Sequence, residues 1–130
     1  MSLQALSTLL LSDVTQLDQD IKRGLTYAAQ DFEKAFSSGS IEDLRKRQVR
    51  REYLEPLCIL VADMTSGTKT ESFILSWLEK SREEIYRELT QGRLKGRSNC
   101  PWHNLNHEYR MEVYAALLPT LSNYIRVYNQ

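Results

Sequence analysis

The 130-residue sequence predicts an all-α fold, a compact bundle of four to six helices, mostly antiparallel. Three observations carry that prediction. Apolar residues recur at steps of three and four along most of the chain, the spacing of one helix face. Five glycines and three prolines divide the chain into helical lengths joined by short loops, which favour antiparallel neighbours. No segment alternates apolar and polar residues with the β-branched enrichment of a strand. The length fits a single all-helical domain over 1–130, and a hydrophobic fraction of 42% supplies a core that needs neither disulfide nor metal.

The first segment, 2–36, places Leu3, Leu6, Leu10, Val14, Leu17, Ile21, Leu25, Ala28, Phe32 and Phe36 on one helix side. Ser12-Asp13 can cap a second helix there, so the segment reads as one long helix or a short one followed by a long one. Ser40 followed by Asp43 resembles a capping box and opens the second segment. That segment is basic to Arg51 and apolar from Tyr53 to Met64, with Pro56 between the parts as an expected kink or break. The half after Pro56 is apolar nearly all round and belongs in the core.

A loop at 65–68 leads to a third helix that should end near Thr90, with Gly92 just past its end. Pro101 suits the first turn of a last helix running to about Tyr128, kinked or broken at Pro119. That helix carries two apolar stripes. Trp102, Leu105, Tyr109, Val113, Ala116 and Leu117 form one; His107, Met111, Tyr114 and Leu118 form another on nearly the opposite side. One stripe joins a core. A second belongs either to a central helix or to a surface that meets another chain.

Charge narrows the function. Seventeen bases balance seventeen acids, which argues against a dedicated double-stranded DNA binder. The balance is patchy: residues 1–43 hold seven acids against three bases, and residues 44–70 hold six bases against three acids. Such alternation suits contacts between protein surfaces. Two cysteines, Cys58 and Cys100, are too few for a secreted disulfide scaffold. No stretch approaches the roughly 18 apolar residues of a membrane span, and the start lacks the charged region of a signal peptide. A cytoplasmic protein without membrane partners is expected.

Three constellations merit weighing. Cys100, His103 and His107 read as C-x2-H-x3-H; from Pro101 onward they fall within about 60° of one another on a helix and suit a transition-metal ion. Asn104 stands where a zinc protease has its glutamate, so that enzyme class is excluded. Arg97 and His103, spaced R-x5-H, resemble the R-x4-6-H element of the HEPN superfamily, small all-helical proteins that often dimerise and include metal-independent ribonucleases. The resemblance covers seven residues, and Ser98 stands where an asparagine is common. It implies that the arginine polarises phosphate while the histidine moves protons. The run from Arg45 to Arg51 holds five bases in seven residues. On a helix the i, i+4 pairs Glu42–Lys46, Asp43–Arg47 and Arg51–Glu55 partly neutralise it, and the acidic first helix is a further partner.

Gly67-Thr68-Lys69-Thr70 lacks the glycine spacing of a phosphate loop, and no nucleophile elbow is present. No cofactor motif is found. The leading expectation is a non-enzymatic interaction or regulatory protein, an adaptor or assembly factor, that associates with a protein partner or itself as a homodimer. Its contact residues would be Met111, Tyr114 and Leu118 with Arg47, Arg50 and Arg51. The alternatives are an RNA-binding or ribonuclease-like protein using Arg97 and His103, and a metal-binding protein using Cys100, His103 and His107.

Overall fold

The computed structural model describes residues 2–67, 72–94 and 100–130, with the side chains of 72, 92–94 and 101–103 outside that description. The described residues form five helices: α1 (Leu3–Gln30), α2 (Phe32–Ser37), α3 (Ser40–Thr65), α4 (Ser72–Leu94) and α5 (Pro101–Asn129). The expected all-α bundle is what the chain adopts. α1 packs chiefly on α3 and α4 on α5, while α1 and α3 also meet α5. Asp18 bonds Arg51 and Gly24 faces Leu44, so α1 and α3 run antiparallel. Among the described residues, no helix is long and apolar enough to cross a membrane.

The core occupies one end of the bundle. Leu6, Leu10, Val14 and Leu17 of α1 meet Leu54, Leu57, Leu60, Val61 and Met64 of α3. Ile74, Leu78, Ile85 and Leu89 of α4 and Val113, Leu117, Leu121, Tyr124 and Tyr128 of α5 complete it. The Ser2 amide donates to the Tyr128 carbonyl at 2.7 Å, which ties the start of α1 to the end of α5. In the apolar half of α3, Leu57, Leu60, Val61 and Met64 are buried as expected and Cys58 is half-buried, while Ile59 and Ala62 remain exposed.

Several boundaries differ from the sequence reading, each for a local reason. α1 runs unbroken through Ser12-Asp13, because the Asp13 carboxylate accepts a hydrogen bond from Tyr124 at 2.6 Å instead of capping a helix. The break comes at Asp31, whose side chain accepts from the Lys34 amide and caps α2. Ser40 forms no capping box: Gly39, left-handed at φ 81°, precedes α3 without a side-chain cap, and the Ser40 and Ser38 hydroxyls pair with each other. Left-handed backbone is the conformation that favours glycine there. α4 continues past Gly92 to Leu94. Neither proline ends its helix, since α3 passes through Pro56 and α5 through Pro119.

Candidate functional site

The basic run of α3 is mostly used inside the bundle. Lys46 bonds Glu42 at 2.8 Å and also Glu112 of α5, and its ammonium sits 5.3 Å from the centre of the Tyr109 ring. The hydrogen bonds from Glu112 and Glu42 hold its pKa above the ordinary lysine value. Arg51 reaches across to Asp18 of α1 at 2.9 Å and along its own helix to Glu55 at 2.8 Å. Burial works against its charge, but the bond to Asp18 and the two carboxylates outweigh that and raise its pKa. The acidic first helix is therefore a partner of the basic run within one chain. Two of the three expected i, i+4 pairs form; Asp43–Arg47 is not among the ion pairs of the described residues. Arg45 and Arg47 stay exposed.

Arg50 has a different environment. It is half-buried, and its Nη2 donates to the Thr120 hydroxyl of α5 at 3.1 Å. Its Nε is closed off from solvent and has no hydrogen-bond partner among the described residues. Arg47 and Arg50, three residues apart on α3, line a cleft of about 290 Å³ between α1, α3 and α5, together with Asp20, Lys46 and Glu112 over a floor of Leu17, Val113 and Ala116. Nearby, the Tyr124 phenol is pushed above its ordinary range, first by burial and then by its bond to Asp13. The sequence singled out Arg47, Arg50 and Arg51 as one group; the fold keeps the first two together and turns the third toward α1.

The second stripe of α5 is covered more than its length suggests. Met111, Tyr114 and Leu118 are half-buried and pack against the core, with Tyr114 edge-on to Tyr53 of α3 at 6.1 Å. Burial raises the pKa of Tyr53, which also bonds Ser81 of α4. Cys58 is half-buried against the core, where burial pushes the thiol pKa up and leaves it a poor nucleophile.

The clearest uncovered apolar surface lies at the opposite end from the core. The stripe of α1 continues past Leu17, but no residue beyond it is fully buried. Leu25 is exposed, and on α2 only Ala35 points inward. Phe32 and Phe36 stack on each other with ring centres 6.2 Å apart, and remain 61% and 69% exposed. The sequence reading places both on the same helix side as Leu3 to Ala28 because their spacing continues that of α1. The signal it passed over was Asp31, a strong capping residue between Ala28 and Phe32.

Arg97 lies outside the described residues, and His103 lies on α5 with its side chain outside them. Cys100 and His107 are exposed. Among the described residues no group of three His, Cys, Asp or Glu side chains is placed to hold a metal ion. Comparison with protein-family models, curated proteins and solved structures finds no match.

Proposed function

We propose that this chain is a non-enzymatic helical interaction protein that associates with a second copy of itself, and that the contact is made at α2. The observation that carries this reading is the stacked pair of Phe32 and Phe36, both mostly exposed, on a six-residue helix held down by Ala35. Two aromatic rings at one place form an anchor of the kind that dominates interface energetics. A two-fold axis through the rings would set the Phe32–Phe36 pair of one copy against that of the other. Met111, Tyr114 and Leu118 are half-buried and so less open to a partner than the α2 rings, and Arg47 is the exposed member of the three arginines expected to orient a partner.

The test is light scattering on the purified chain over a range of concentrations, beside Phe32→Ser/Phe36→Ser. The expected result is a dimer for the wild-type chain and a monomer for the double variant, with the thermal melt extrapolated to low concentration unchanged. A wild-type chain that is monomeric at every concentration overturns the reading. A double variant that dimerises as before removes α2 as the contact.

A further inference from the structure

We infer that the cleft between α1, α3 and α5 is a binding site for a small oxoanion of the phosphate-monoester class, gripped by Arg47 and Arg50. The inference starts from how the cations around the cleft are paired. Lys46 has Glu42 and Glu112, Arg51 has Asp18 and Glu55, and Arg23 has Asp20. Arg47 and Arg50 have no carboxylate partner among the described residues, yet both line the same cleft. The two acids on the cleft wall are already engaged, Asp20 with Arg23 and Gln16, and Glu112 with Lys46. A ligand therefore meets two cations without first displacing an internal ion pair.

Arg50 adds the second observation. A guanidinium carries five N–H donors. Here one of them meets a neutral hydroxyl, Thr120 Oγ1, and the enclosed Nε has no acceptor among the described residues. A half-buried cation without a carboxylate partner gains from an anion that meets those of its N–H donors that the cleft leaves open. Leu17 and Val113, both buried, keep part of the lining apolar, which strengthens the attraction. A phosphate monoester has two negative charges and three free oxygens, enough for both guanidiniums; a lone carboxylate matches one fork. A cleft of about 290 Å³ holds the phosphate and a small ester substituent. No residue of α2 lines the cleft, so loss of the α2 contact in Phe32→Ser/Phe36→Ser leaves this test intact.

The experiment follows the thermal melt of the full chain while inorganic phosphate, sulfate or phenyl phosphate is added at ionic strength held constant with sodium chloride. A ligand of the folded state raises the melting temperature saturably. The expected result is a saturable rise with phosphate and a tighter one with phenyl phosphate, each weakened ~10-fold or more in Arg47→Gln and in Arg50→Gln. Equal saturation by sulfate marks a site for tetrahedral dianions without preference for the ester and overturns the assigned class. No saturable rise with either phosphate compound, or the same rise in Arg47→Gln, overturns the site. Arg47 is exposed, so that variant decides the matter even where Arg50→Gln does not fold.

Discussion

The two ends of α1 and α3 face opposite problems. At one end, the first half of α1 and the second half of α3 are covered by α4 and α5, and leucines, aromatics and a methionine close a continuous core. At the other end the same two helices pack on each other with α2 over them, and the buried apolar side chains reduce to Ala35 and Leu44. The core end draws its stability from area removed from water. The α2 end has the close approach of α1 and α3 at Gly24, and leaves its large apolar rings in solvent. An apolar stripe thus predicts burial only where further helices exist to cover it.

The largest expected effect tests that division directly. Leu54 and Leu117 are fully buried, and replacing either by alanine should cost ~2–5 kcal/mol in urea unfolding. Leu44→Ala at the α2 end should fall near about 2 kcal/mol, because fewer neighbours are left around the space. Equal costs at the two ends would break the comparison.

The same contrast explains what the sequence made legible. Helix content, the core half of α3 and the apolar seam of α1 as far as Leu17 follow from spacing, because steps of three and four leave little alternative where a core exists. The fate of Phe32 and Phe36 was not legible, since their spacing continues the seam and only the Asp31 cap turns α2 aside. Long-range polar partners were equally hidden. Asp13 lies 111 residues from Tyr124, and Arg50 lies 70 residues from Thr120; no local pattern links either pair. The second stripe of α5 was legible as apolar, but its cover comes from Tyr53 and its neighbours on another helix.

A polar bond inside the core end gives the next effect. Tyr124→Phe deletes the phenol that donates to Asp13, and should cost about 1.5–3 kcal/mol at neutral pH, the range for a hydrogen bond to a charged group. The bond also sets a pH dependence. The folded phenol titrates above its unfolded value of about 10, so its contribution is complete below that pH and is lost as pH rises past it. Melts between neutral and strongly alkaline pH should therefore fall more steeply for the wild-type chain than for Tyr124→Phe. Parallel curves would show that the phenol contributes nothing beyond its ring. Tyr53, raised by burial in the same direction, keeps some alkaline slope in the variant.

Smaller still is the ion pair that joins the helices between the two ends. Asp18 is 56% exposed, so Asp18→Asn should cost under about 1 kcal/mol, and the difference should shrink in high salt. A larger, salt-independent loss would mean that Arg51 is buried with α1 more tightly than its neighbours indicate.

The smallest effect discriminates best between a packed and a loosely covered end. Glycine in a helix interior is worse than alanine by roughly 1 kcal/mol, so Gly24→Ala should gain that much in open surroundings. A methyl group at Gly24 would meet Leu44 Cδ1 at 3.0 Å, with Cγ at 3.6 Å and Cβ at 3.7 Å. The tight contact is with the far end of a flexible side chain, so a shift of a few tenths of an ångström in Leu44 relieves it. Gly24→Ala should therefore stabilise by about 0.5 kcal/mol, the remainder being spent on moving Leu44. In a Leu44→Ala background that opposition disappears, and the same substitution should recover the full ~1 kcal/mol. A Gly24→Ala chain less stable than wild type, with the loss cancelled by Leu44→Ala, would instead show that the α2 end is packed as rigidly as the core. The exposed phenylalanines would then sit on a fixed platform, whereas a net gain leaves them on a support that yields to a second copy.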